Sequence, residues 1–258
     1  VLLGLSGSSQ AIAPANAPII STAQVSHDDL QTPKSLSIAF TVELSPSAPD
    51  LSAPADQQVE LEENESLDLT YSYTIASTAN GFDTYDLSTA EPVLTNVTGS
   101  ASVSFWQDQG QNQITSVELG ATAASVFAPE GSTDITVPTD GTADASINGI
   151  EAGDSVLVHG MNHEVGNVVD DGITGTISLI LPHDSDVLVG DLIVEWQSFD
   201  LVITGVGVDD PDSPATVEVA VTAASSIEPA LFTDDESVTS ISQLPGGQYV
   251  ADDTCPSG

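Results

Sequence analysis

Residues 66–88, SLDLTYSYTIASTANGFDTYDLS, alternate with a period of two: Leu67, Leu69, Tyr71, Tyr73 and Ile75 fall on one side, and Asp68, Thr70, Ser72 and Thr74 on the other. Apolar side chains kept on one side at this period describe a strand packed on one face, and a 3.6-residue helix would scatter them. Asn80-Gly81 then supplies residues that take positive φ at low steric cost, and Phe82, Tyr85 and Leu87 begin the return. The expectation is a hairpin: a strand, a turn and a strand.

These residues carry a resemblance. A Tyr-x-Tyr-x-Ile strand, then Asn-Gly, then Asp-Thr-Tyr-Asp-Leu-Ser resembles the core hairpin of immunoglobulin-like domains repeated along prokaryotic cell-surface proteins and some extracellular filament subunits. The resemblance covers about a tenth of the chain. It implies an immunoglobulin-like β-sandwich and a place outside the cell.

Composition agrees with an all-β chain. Only 5% of its 258 residues are aromatic and 16% are charged, and Pro and Gly are scattered throughout, as short strands and many turns require. Lys34 is the sole Lys or Arg against 39 acidic residues, for a formal net charge of −38. Such a surface repels phosphate backbones and anionic headgroups, so the expected partners are inorganic cations and not nucleic acid. Salt bridges being almost unavailable, polar cohesion must come from hydrogen bonds, bound cations and screening; at roughly 1 M salt the Debye length is about 3 Å. No run reaches the roughly 18 apolar residues of a membrane helix, so membrane insertion is not expected. Cys255 is the one cysteine, which excludes an internal disulfide and leaves a tail thiol or an intermolecular bridge.

Residues 1–13, VLLGLSGSSQAIA, are an apolar stretch followed by small residues, the pattern of the end of a secretory signal. Two roles are open to it. One is an ordinary first strand; the other is a strand donated to a neighbour's sheet through Val1, Leu2, Leu3, Leu5 and Ile12. Pro14 and Pro18 would make a stiff spacer after it. The expected organisation is an N-terminal arm and linker over 1–34, an immunoglobulin-like unit over 35–134, an inserted small β-barrel over 135–197, strands returning to the first unit over 198–232 and a polar tail over 233–258. The barrel is read from two Gly-Asp pairs, Gly153-Asp154 and Gly190-Asp191, each ahead of an apolar strand. Residues 117–129 and 217–229 also echo each other at an offset of one hundred, which suggests two related β units.

Catalysis is not expected. There is no nucleophile elbow, no phosphate-binding Gly loop with Lys and no His-Glu-x-x-His. His159 and His163 are four apart beside Glu164, but Gly160 between them points to a turn, where helical ligand spacing has no meaning. Structural calcium is the one cofactor considered. Asp209, Asp210 and Asp212, and Asp108 with Asn112, put oxygen ligands close together in turns, though neither set has the distal Glu of a full calcium loop. Asp170-Asp171 and the Asp184/Asp186 pair are poorer versions, and Asp in turns also caps backbone amides. Asn64 and Asn96 head Asn-x-Ser/Thr sequons and are the candidate glycan acceptors. The functional expectation is a secreted structural subunit of a pilus-like filament or surface layer, a homopolymer joined head to tail by the N-terminal strand. The alternatives are a calcium-stabilised adhesin and a virion tail or decoration protein.

Overall fold

The computed structural model describes residues 13–25, 34–59, 66–107, 110–208 and 215–242. Every regular element among them is a strand, so the chain is all-β. A two-stranded ribbon comes first, β1 (Pro18–Val25) and β2 (Lys34–Thr41). Nine strands follow: β3 (Asp50–Ser52), β4 (Gln57–Val59), β5 (Ser66–Ala76), β6 (Asp83–Thr89), β7 (Val93–Thr95), β8 (Val97–Thr98), β9 (Ser102–Gln107), β10 (Asn112–Ile114) and β11 (Ser116–Leu119). Then come β12 (Ala121–Ala123), β13 (Asp134–Pro138), β14 (Ser155–Val158), β15 (Met161–Asp170) and β16 (Thr174–Leu179). Last are the long β17 (Leu192–Val208), β18 (Ala215–Ser225) and β19 (Thr233–Ser242).

Two sheets face each other across the first core. In one, β5 and β9 flank the second half of β17, with β3 on β5 and β10 on β9; in the other, the order is β11-β6-β18-β19-β4. The alternation seen in the sequence builds this core directly. Tyr71, Tyr73 and Ile75 of β5 are fully buried, and Phe199, Leu201 and Ile203 stand opposite Tyr73, Tyr71 and Leu69 in the β17 register. The Tyr73 and Phe199 rings stack at 5.5 Å, with Phe105 edge-on to Phe199 at 5.7 Å. From the other sheet come Tyr85 and Leu87, and Val217, Val219, Val221 and Ala223 on one face of β18.

The hairpin expectation is wrong. β5 pairs with β17 and β3, and β6 with β11 and β18, so residues 77–82 form an arch from one sheet to the other. Alternation identifies a strand's buried face but not its hydrogen-bonding neighbour. Phe82 is correspondingly not in this core; it is partly exposed and packs over Gly149 of the second unit. The hundred-residue echo does not mark two units either. Its segments, β11 and β18, flank the same strand β6 in one sheet.

The second core is enclosed by β12-β17-β14-β15-β16-β13, and Ser125, just after β12, donates its N–H to Thr136 O of β13 at 2.8 Å, bringing the two ends together. The result is a small barrel filled by Ile135, Val137, Ile147, Ile150, Val156, Val165, Val168, Ile177, Val187 and Ile193. The two Gly-Asp pairs make the same turn. Gly153 and Gly190 have φ of 101° and 93°, and Asp154 and Asp191 each accept, at 2.6 Å, the N–H of the residue three positions earlier, Glu151 and Leu188.

β17 serves both cores. Residues 192–195 pair with β12 and β14 of the barrel; residues 196–208 pair with β5, β8 and β9 of the sandwich. Barrel and sandwich therefore share a backbone and not a linker. The chain enters the barrel at Gly120, where a Cβ would lie 2.6 Å from Asn148 O and 2.7 Å from Ile150 N, so only glycine fits. The stretch expected as a polar tail begins instead with a ten-residue strand, β19, in register with β18 from Ala215↔Ser242 to Ala224↔Thr233. Over its described side chains, residues 233–239, Val238 is the apolar one and is deeply buried.

Candidate functional site

The arch of residues 77–82 holds the root of the N-terminal arm. Asn80 is buried, and its side-chain amide donates to Ala13 O at 3.0 Å and Glu43 O at 3.2 Å, while its Oδ1 accepts the Ser45 N–H at 2.7 Å. Its backbone carbonyl accepts the Ala15 N–H at 2.6 Å. Ala15 is buried against Gly81, where a Cβ would lie 2.6 Å from the Ala15 Cβ. One Asn-Gly pair thus ties down the chain entering the ribbon and the chain leaving it. Asn16 adds a bond to Asn148 Oδ1 of the barrel at 3.3 Å.

Beyond this root, among the described residues, the ribbon pairs only with itself, from Pro18↔Thr41 to Val25↔Lys34. Period two puts Ile19, Ser21, Ala23, Leu36, Ile38 and Phe40 on one face and Ile20, Thr22, Ser37 and Ala39 on the other. The second face is tied by a Thr22–Ser37 hydroxyl bond of 2.9 Å. The first carries four large apolar side chains that are exposed. Pro18 therefore opens a strand, where a spacer was expected.

A second apolar surface caps the barrel. The bridge between Ala128 and Val187 joins two loops whose neighbours Val126, Phe127, Leu188 and Val189 are all exposed. His159 braces this end from a two-residue turn with Gly160, φ 52° and 75°. Its ring nitrogens lie 2.9 Å from Ser185 Oγ and 2.6 Å from Asp191 Oδ2. His163 lies on β15 opposite Val156, so the two histidines sit on a turn and a strand.

Between barrel and sandwich lies a cleft of about 390 Å³ lined by Gln107, Asp154, Glu195, Trp196, Gln197 and Ser198. Glu195 is 3% exposed. Its Oε2 accepts the Gly120 N–H at 2.7 Å and its Oε1 the Gln197 amide at 2.7 Å; Gln197 Oε1 in turn accepts from Gln107 at 2.8 Å. Burial, with smaller repulsion from Asp154 and Glu151, outweighs these bonds and pushes the Glu195 carboxyl up to about 7. Alternation gave no sign of this glutamate, because a charged residue at a buried strand position breaks the pattern.

Of the residues singled out from sequence, Val1, Leu2, Leu3, Leu5, Ile12, Asn64, Asp108, Asp209, Asp210, Asp212 and Cys255 lie outside the described residues. Asn112 is exposed at the start of β10, and Asn96 is exposed between β7 and β8 with φ 53°. Among the described residues no three His, Cys, Asp or Glu side chains group as metal ligands. Asp170 instead accepts from Thr139 Oγ1 at 2.8 Å and the Asp140 and Gly172 N–H groups; Asp171 caps Ile173 and Thr174, and Asp186 caps Glu130.

No known family profile matches the chain, and no curated protein sequence does. Among solved structures it is similar to the CooA pilin subunit of enterotoxigenic Escherichia coli, at 12% identity and a TM-score of 0.33 over 76% of this chain and 98% of that one. It is similar to CfaE, the adhesive subunit of CFA/I fimbria of the same organism, at 10% identity and a TM-score of 0.34; the match spans 90% of this chain and 60% of CfaE. A family 123 glycoside hydrolase from Clostridium perfringens matches at 8% identity and a TM-score of 0.22, over 28% of its length. Similarities at this level do not establish a shared function.

Proposed function

We propose that this chain is a non-enzymatic structural subunit of an extracellular filament or surface layer, assembling head to tail with identical subunits. The apolar N-terminal segment, residues 1–12, adds a strand to a neighbouring subunit. Backbone bonds give affinity, and alternate side chains such as Leu3 and Leu5 set register. Such contacts are heterologous and propagate a fibre. The observation that supports this reading is the clamp on residues 13–15. A strand handed to a neighbour transmits load only if its root is fixed to its own subunit, and Asn80 and Gly81 hold that root immediately after the apolar segment. Inorganic cations, calcium among them, belong to the proposal as counter-ions to a net charge of −38.

Electron microscopy of the intact chain beside one lacking residues 1–12, in about 1 M salt with and without calcium, tests it. Filaments that disappear on truncation, with the thermal transition retained, are expected. A truncated chain that polymerises as well as the intact one overturns the role of the segment, and an intact chain that stays monomeric in every condition overturns the assembly.

A further inference from the structure

We infer that the apolar face of the β1–β2 ribbon docks on the apolar end of the barrel of a second copy of this chain. This deepens the head-to-tail assembly proposed above and rests on it in taking another copy as the occupant.

A two-stranded ribbon is marginal in water without a further surface to pack on. Here Ile19, Leu36, Ile38 and Phe40 share one face and are each 52–66% exposed, so nothing among the described residues covers them. Scattered single apolar residues on a surface are ordinary; a contiguous row on a protruding ribbon is an interaction surface.

Charge indicates what covers it. The sixteen residues of β1 and β2 contain no Asp or Glu, in a chain where 39 of 258 residues are acidic, and β2 opens with Lys34, the only Lys or Arg in the chain. A second copy, with its net charge of −38, can approach this ribbon without stacking carboxylate on carboxylate. Each copy also offers a matching surface. Val126, Phe127, Leu188 and Val189 are 50–65% exposed around the Ala128–Val187 bridge, and Glu130, Asp184 and Asp186 stand exposed beside it. An apolar centre with an acidic rim complements an apolar row on strands that carry no carboxylate. Ribbon and barrel end are different surfaces of the same chain, so the contact is heterologous and leaves a free ribbon and a free barrel end to continue the chain of subunits.

Cysteine cross-linking tests the contact. With Cys255→Ser as background, Ile38→Cys and Val189→Cys are placed in separate preparations, mixed in about 1 M salt, oxidised and resolved on a non-reducing gel. The control pairs Val189→Cys with Thr22→Cys, on the opposite face of the ribbon. The expected result is a mixed disulfide dimer forming at least about tenfold faster for Ile38→Cys than for Thr22→Cys. Equal rates, or Ile38→Cys dimers that outrun the mixed species, overturn the docking. All three positions are surface sites, and an unchanged thermal transition shows that each variant folds. Microscopy of the same samples separates the two ideas. Filaments without the preferred cross-link leave the assembly standing and remove this contact, whereas the cross-link in samples without filaments keeps the contact and removes the fibre.

Discussion

The Asn80 side-chain amide donates to the backbone carbonyl of Ala13 across 67 positions of sequence, at 3.0 Å. With its bonds to Glu43 and Ser45 it closes the base of the ribbon from inside the protein. In Asn80→Ala all three side-chain bonds are lost and two carbonyls and one N–H are left without partners. A loss of about 1–3 kcal/mol is expected. Hydrogen exchange reports where: the Ser45 and Ala15 amides speed up, while those of β18 change only with global stability.

Glu195 makes stability fall as pH rises. Its carboxyl is pushed up to about 7 in the folded protein against an ordinary value of 4.5, so between those pH values the folded state holds a proton that the unfolded chain has released. The contribution is fully present below about 4.5 and lost as pH climbs through about 7, and it amounts to about 3 kcal/mol. Glu195→Gln, which stays neutral throughout, removes this dependence. Thermal melts from pH 4 to 8 should show the wild-type and variant curves diverging above pH 5, with the variant the more stable at pH 8; parallel curves exclude the assignment.

Tyr73 carries a hydroxyl whose oxygen is buried with no hydrogen-bond partner among the described residues, and burial raises its pKa above the ordinary tyrosine value. Tyr73→Phe keeps the stack on Phe199 and removes the stranded polar group, so it is expected to be neutral or stabilising by up to about 2 kcal/mol. Urea denaturation measures it, and a loss of more than about 1 kcal/mol would reveal a partner for the hydroxyl.

Because β17 runs through both cores, sandwich and barrel should melt together. Phe199→Ala removes a ring from the first core, and Ile193→Ala a side chain from the second; each should cost about 2–5 kcal/mol. Calorimetry is expected to show one transition for the wild type and for both variants. Two resolved transitions, one moved by each substitution, would mean that the shared strand does not couple the units.

Salt should stabilise the monomer. A net charge of −38 with one cationic side chain leaves repulsion uncompensated, and it is screened as the Debye length falls from about 10 Å at 0.1 M to about 3 Å at 1 M. The melting temperature should rise steadily over that range in sodium chloride, and a flat response would point to tightly bound counter-ions already in place.

What the sequence determined by itself is local in origin. The alternation over residues 66–76 set β5 and its buried face, Gly-Asp twice set the barrel's turns, and Gly160 after His159 correctly read as a turn, because each depends on neighbours two or three positions away. Partner strands, by contrast, were decided by tertiary structure. Nothing in residues 77–82 distinguishes a hairpin from an arch, since either buries Tyr85 and Leu87; the choice lies with β17 and β3, which take the two edges of β5 where it runs into the arch. Asn80 was legible as a turn former but not as the clamp on Ala13, and β19 looked like a tail because an edge region of a sheet needs few apolar residues. The ribbon's exposed row and the raised pKa of Glu195 also arise only in three dimensions, because exposure and desolvation depend on what the rest of the chain places against a side chain, and that is settled by packing over long separations in sequence.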